Sequence, residues 1–299
     1  MSLIGTLTSG VSALRSFGKG LEVIGANIAN VNTTGYKAST ASFSESFSNT
    51  LRGSAPSNGS VSSQSAIQVG TGVQLSAITT NFNQGALDTT GNTTDLGISG
   101  NGFFIVQDAT GGQRFATRDG QFRIDDKGYL VTQGGLRVQG LTGTTGTSSV
   151  SDIQIGLNLP TNSQLSSISF DTTGNLVEFY SNGTSATTAR MQLQNFNDTS
   201  ALERVGSNLY TGLTNAGPVG GGILSSTITG NLTGTVTSTN NPSSNGLGSI
   251  QSGTLESSNV DLTQQFSDLI TTQRSFQAGS RLITVSDTVL DDIVNLKRS

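Results

Sequence analysis

The chain contains no cysteine and no histidine. Their absence removes disulfides, thiol catalysis, thiolate and imidazole metal sites, and every Ser-His or Cys-His mechanism. A chain without cysteine also suits export in an unfolded state, since no disulfide has to form or be avoided. Charge is scarce too, at 11% of residues against a usual figure of about 25%. The 15 basic side chains are spread thinly and the net charge is −4, so there is no dense cationic footprint for nucleic acid or an anionic membrane. No apolar run approaches the roughly 20 residues that span a bilayer. The N-terminus lacks the basic region, unbroken apolar core and small-residue cleavage site of a secretory signal, so no cleaved leader is expected. Asp119, Asp125 and Asp126 lack the spacing and distal Glu of a calcium loop, and read as hairpin-turn residues instead. Gly70-Thr71-Gly72 lacks the third glycine of a dinucleotide fingerprint, and Asp291-Asp292 reads as solvated helix-surface charge. No catalytic centre, cofactor or metal is expected.

What the chain does contain is written in two codes. Leu3, Leu7, Gly10, Leu14, Phe17, Leu21, Ile24, Ile28 and Val31 follow gaps of four and three. Leu255, Leu262, Leu269, Phe276, Ile283 and Leu290 recur every seven residues, with Leu282, Val289 and Leu296 as a parallel row. Such spacing sets apolar side chains on one narrow helical stripe, the pattern of a coiled-coil seam, and a stripe needs a partner to cover it. A buried helix of an ordinary domain is the alternative for the N-terminal segment. Residues 2–31 read as a helix with Ser2 as N-cap, weakened by Gly10, Gly18 and Gly20 at about 1 kcal/mol each relative to alanine. The C-terminal helix starts at Asp261 with Gln264 in capping-box spacing, and Lys297 and Arg298 complement its end.

Between the ends, 39 glycines and abundant Thr, Ser and Asn fit short strands joined by tight turns. Val73–Ile78, Phe103–Val106, Phe122–Ile124, Tyr129–Val131, Leu176–Tyr180 and Met191–Leu193 read as strands, separated by Asn101-Gly102, Asp119-Gly120 and Lys127-Gly128. The expected fold is α+β: terminal helices pairing as a coiled coil around a Gly/Thr/Ser-rich all-β body with a small inserted β domain. Its divisions are 1–31 with 256–299 as the helical domain, 32–69 as a connector without a clear element, 70–140 with 206–255 as the main β domain, and 141–205 as the insert.

Several segments resemble the axial proteins of the bacterial flagellum, the hook and rod family. Ile24-Gly25-Ala26-Asn27-Ile28-Ala29-Asn30-Val31-Asn32-Thr33-Thr34-Gly35-Tyr36-Lys37 resembles the N-terminal signature of that family, with Ala26 where Asn is usual. Val69–Val73, Leu96–Phe104 with Thr117–Phe122, Phe196–Leu202 with Val205–Tyr210, and Gly253–Leu262 with Gln273–Ala278 follow in family order. The signature residues carried over are Asn27, Ile28, Ala29, Asn30, Thr34, Gly35, Tyr36 and Lys37.

The resemblance implies a non-catalytic structural subunit of a hollow helical polymer. Its polymerisation seam would be Leu3, Leu7, Leu14, Phe17, Leu21, Ile24, Ile28, Val31, Leu262, Leu269, Phe276, Ile283 and Leu290. The paired helices would form the inner tube around an export channel, the connector would bridge subunits and the β body would lie outside. Met1–Arg15 and the insert after Gly140 look most like a hook protein, implying a hook that joins rod to filament and transmits torque. The shortness of the insert approaches a distal rod protein, the alternative, and a secreted β-rich adhesin on a trimeric stalk is the other. Implied partners are further copies, the distal rod, a hook cap, a hook-filament junction protein and the flagellar export apparatus, without nucleic acid or membrane insertion. The implied location is the basal body and hook at the cell surface. Residues 1–69 and about 255–299 are expected to order only on assembly.

Overall fold

The computed structural model describes residues 3–54, 56, 63–110, 112–142, 149–156, 163–219 and 240–296. The expected N-cap Ser2, the side chain of Leu3, and Lys297 and Arg298 lie outside the described residues. The chain divides into two compact units. One comprises Met1–Asn30, Ala38–Asn81 and Val260–Ser299; the other comprises Val31–Lys37 and Phe82–Asn259.

The first unit holds both long helices, α1 (Leu3–Ala29) and α2 (Leu262–Leu296). The α2 start is capped as its sequence suggests, because Asp261 Oδ1 accepts from the Thr263 and Gln264 N–H groups at 2.8 and 3.3 Å. The reciprocal half of the box is missing, since the Gln264 amide donates forward to Asp268 at 2.9 Å. At the α1 end, the Asn30 side chain donates to the Ala26 carbonyl at 2.8 Å. Val31 falls beyond that end, in the second unit, and is therefore not a position on the helical stripe.

The stretch expected to be a connector without a clear element is largely strand. β1 (Ser39–Glu45) pairs antiparallel with β4 (Val73–Thr80), and β2 (Ser48–Arg52) with β3 (Ile67–Gly70). Ser46 N–H to Gly72 O (2.8 Å) and Thr71 N–H to Phe47 O (2.7 Å) join the two pairs into one long ribbon. Its place in the helical unit moves the expected division at residue 70.

The second unit is the β body. Its strands are β5 (Leu87–Thr89), β6 (Leu96–Ser99), β7 (Phe103–Gln107), β8 (Arg114–Thr117), β9 (Phe122–Ile124), β10 (Leu130–Thr132), β11 (Arg137–Thr142) and β12 (Ser149–Asp152). They continue with β13 (Leu165–Phe170), β14 (Asn175–Tyr180), β15 (Ser185–Met191), β16 (Leu193–Gln194), β17 (Glu203–Gly206), β18 (Leu209–Thr211), β19 (Ser249–Ser252) and β20 (Thr254–Glu256). Leu255 lies in β20, so the heptad row of the helix begins at Leu262.

One antiparallel sheet runs in the order β13-β14-β15-β11-β7-β8-β18-β17, while β19 pairs with β6 and β20 with β5. Strands of the expected insert and of the main β domain share this sheet, since β11 pairs with β15 through Gly140 and Met191. The expected separation at residue 141 is therefore not a break between compact units. β7 shows why a short unbroken apolar run becomes a central strand. Phe104 and Val106 enter one core with Leu96, Leu130 and Met191, whereas Phe103 and Ile105 enter another with Phe196 and Tyr210. Alternate side chains point to opposite faces, and here both faces are covered.

Candidate assembly surfaces

The helical unit has an inner contact and an outer face, and they use different residues. α1 and α2 lie antiparallel: Thr6 reaches Ser286 hydroxyl to hydroxyl at 3.2 Å, and Asn27 donates to Gln265 at 2.9 Å. Between these polar ends the contact is made by glycines. A Cβ added at Gly10 would sit 3.1 Å from Ile283 Cγ1, one at Gly279 would meet Leu14 at 3.4 Å, and one at Gly20 would lie 3.0 Å from Phe43 and 3.5 Å from Thr272. Missing side chains let the backbones approach closely, which offsets their helix-propensity cost.

The residues of the expected polymerisation seam fall in several places. Leu14 and Ile283 take part in the pairing, and Phe17 packs edge-on against Phe43 with ring centroids 5.4 Å apart. Leu7, Leu21, Ile24, Ile28 and Leu269 are half-buried, whereas Leu262, Phe276 and Leu290 are exposed. On α2 the buried residues are Gly279 and Ser286, not the large apolar ones. The helices thus pair through small and polar positions together with Leu14 and Ile283, while Leu262, Phe276 and Leu290 of the expected row face outward. A further row, Leu282, Val285, Val289 and Ile293, is exposed along the same helix.

α1 also packs on the ribbon. Ser9 and Ser16 hydroxyls donate to the Thr71 and Val73 carbonyls at 3.0 and 3.1 Å, and Ser12 Oγ accepts from Val73 N–H at 3.3 Å. Beside this contact runs an open groove of about 520 Å³, whose lining includes Leu7, Val11, Arg15, Val73 and Leu75. Farther along the ribbon, Phe47, Leu51, Ile67 and Val69 are exposed, with Phe47 at 77%. Serine and threonine spacing in α1 carried no signal for the ribbon contact, because its partners lie about sixty residues away.

The signature residues divide between the units. In the helical unit, Asn27 is buried, donates to Ser39 O at 2.7 Å and accepts from Ser39 N–H at 3.0 Å, so its amide pins the start of β1. Ile28 is half-buried, and Ala29 lies exposed at the helix end.

In the β unit, Thr34, Gly35, Tyr36 and Lys37 form a strap that is fastened at several points. Gly35 adopts φ +66, where an added Cβ would lie 2.7 Å from the Asp119 backbone nitrogen, so only glycine fits. Its N–H donates to Glu256 O at 2.7 Å. The Tyr36 ring carries the Arg204 guanidinium 4.7 Å from its centroid, and Arg204 donates to Lys37 O at 2.7 Å. Lys37 is fully buried; its Nζ bonds Glu256 Oε1 at 2.7 Å and Asn83 O at 2.8 Å. Glu256 also pairs with buried Arg118 at 3.3 Å and accepts from Gly85 N–H at 2.8 Å. Burial pushes the Lys37 ammonium below its ordinary value, with Glu256 opposing that shift. Arg118 and Glu256 lie in segments that resemble the family, but their pairing, and the contact of Arg204 with Tyr36, are not legible from pattern, because the partners are far apart in sequence.

No group of His, Cys, Asp and Glu side chains able to hold a metal occurs among the described residues. No helix among them is long and apolar enough to cross a membrane. The outer face of α2 presents exposed apolar area, whereas the strap is buried and fixes one segment of backbone.

Comparison with known proteins follows the same segments. Residues 7–37 match the family described as flagella basal body rod protein, 97–177 match the flagellar hook protein FlgE/F/G D1 domain, and 251–296 match the flagellar basal body rod FlgEFG protein C-terminal family. The flagellar basal-body rod protein FlgG of Bacillus subtilis is 34% identical over 296 residues, covering 99% of this chain and 100% of that protein. FlgG of Buchnera aphidicola subsp. Baizongia pistaciae is 31% identical over 276 residues, 91% of this chain and 92% of the relative. The flagellar hook protein FlgE of Helicobacter mustelae is 44% identical over 139 residues, 46% of this chain and 31% of that longer protein.

Proposed function

The chain belongs to the structural hook and rod protein family of the bacterial flagellum, and on that premise we propose that it is a rod-type subunit, polymerising head to tail into a hollow axial tube. A heterologous contact that does not close on itself builds a filament rather than a ring. The observation that carries the rod assignment is coverage: the match to the Bacillus rod protein runs over 296 residues of the two chains, and that to the hook protein over 139. The exposed apolar rows of α2 support polymerisation, because each leaves surface that only another chain covers.

A hook subunit is the second reading, favoured by the higher identity to FlgE, 44%, where the two align. In either case the subunit contributes no catalysis, adds to further copies of itself and meets neighbouring axial proteins at the tube ends. Electron microscopy of intact flagella carrying a labelled subunit tests the assignment. Label on the rod is the expected result; label on the hook selects the second reading. Concentrated protein forming discrete trimers without a channel would instead favour an adhesin stalk.

A further inference from the structure

The groove between α1 and β4 and the outward row on α2 have matching chemistry. On α1, Leu7, Val11 and Arg15 follow one another at steps of four, so two apolar side chains are succeeded by a cation along one face. Val73 and Leu75 of β4 form the opposite wall. Arg15 is exposed and takes part in none of the ion pairs among the described residues. On α2, Val285 and Val289 are succeeded by Asp292, at steps of four and three. Val285 is 60% exposed and Val289 40%, with Leu282 and Ile293 extending the row at 54% and 48%. Asp292 too is exposed and absent from those ion pairs.

We propose that the groove of one copy receives the outward row of α2 from a second copy, in parallel orientation, with Val285 near Leu7, Val289 near Val11 and Asp292 beside Arg15. The orientation follows from the order of the residues, since only parallel helices bring both apolar pairs and the charge pair together. The chain's own α2 does not serve as this partner. It runs antiparallel and is engaged through Thr6, Gly10 and Leu14, on another flank of α1. An anionic lipid surface fits poorly, because Asp292 borders the α2 row and no Lys or Arg lies between Leu282 and Ile293. Donor and acceptor surfaces differ, so the contact propagates. This inference rests on the polymer reading and specifies which surfaces meet.

The absence of native cysteine makes the test direct. Two full-length single-cysteine chains, V11C and V289C, are mixed under mild oxidation. Mixed disulfide dimers in excess of either homodimer by about tenfold are the expected result. Homodimers alone, or no cross-link, would overturn the pairing. In parallel, R15D and D292R are compared with the combined R15D/D292R chain by sedimentation and electron microscopy. Each single reversal should raise the concentration needed for assembly by about tenfold, and the double reversal should bring it back to within about threefold of the parent. Single variants that assemble like the parent would overturn the charge pairing while the tube reading stands. A parent that never forms tubes, yet gives mixed disulfides with the cysteine pair, would overturn the tube reading while this contact stands.

Discussion

Glu256 gathers two cations at a buried position. Lys37 and Arg118 are buried with it, and its two carboxylate oxygens take one each. Replacing Glu256 with Gln keeps the shape and leaves both cations without a counter-charge. Breaking a buried pair from one side costs about 3–5 kcal/mol. E256Q is therefore expected to lower the urea midpoint of the β unit steeply, and an unchanged midpoint would remove the cluster from any structural role. Asp119 behaves in the opposite way. Burial holds its carboxyl above the ordinary 3.8, against the Gln121 N–H and Thr34 hydroxyl that favour its charge. A carboxyl with a raised folded value binds its proton more tightly in the native state, so stability falls as pH rises through the window above 3.8. Both donors use Oδ1, at 3.1 Å each, an atom that asparagine keeps. D119N is expected to exceed the parent in stability at pH 7, with the gain shrinking as pH falls toward the carboxylate range; paired urea titrations at the two pH values read the sign.

At the scale of elements, the glycines of α1 part company. Gly18 has nothing within 4 Å of an added Cβ, whereas at Gly10 that atom would crowd Ile283 and the Gly279 carbonyl. Gly18→Ala should therefore stabilise the helix by about 0.8–1 kcal/mol. Gly10→Leu should destabilise the helix pair by about 1–3 kcal/mol through overpacking, outweighing its better propensity. Circular dichroism at 222 nm on the isolated subunit should show more helix in the first variant and less in the second. Sequence alone gives all three interior glycines the same cost, because the difference lies in distant residues, Ile283 and Gly279 of α2 for Gly10, and Phe43 of β1 with Thr272 of α2 for Gly20. The same limit applies elsewhere. The helices were legible from their periodicity, and strands such as β7, β9 and β14 from short apolar runs between glycine turns. Pattern did not reveal β1, whose Ser-Thr-Ala-Ser-Phe-Ser-Glu is mostly polar and becomes a strand by pairing with β4. The apolar rows were legible as stripes, but not which of their residues lie in the α1–α2 contact and which stay exposed. Small residues that let α1 and α2 approach leave no mark in a hydrophobic repeat.

For the whole molecule, these differences give the two units unequal stability before any assembly. The β unit has two sizeable buried apolar clusters, one around Phe104 and one around Phe103. In the helical unit, α2 buries only Gly279 and Ser286 and leaves Phe266, Ile270, Val285 and Val294 at least half exposed. α2 buries little apolar area against α1, and a helix in a protein draws most of its stability from such packing. Local opening free energy follows buried contact, so the termini should open far more readily than the sheet. In free subunit, amides of α2 are expected to exchange at least about a hundredfold faster than those of β7 and β11, which lie mid-sheet. In assembled material the α2 amides should slow toward the sheet values, because covering the exposed rows supplies the packing that the lone chain lacks. Helical amides already as protected as β7 in the free subunit would show that α1 and the ribbon suffice to hold α2, and that assembly adds rigid units rather than ordering them.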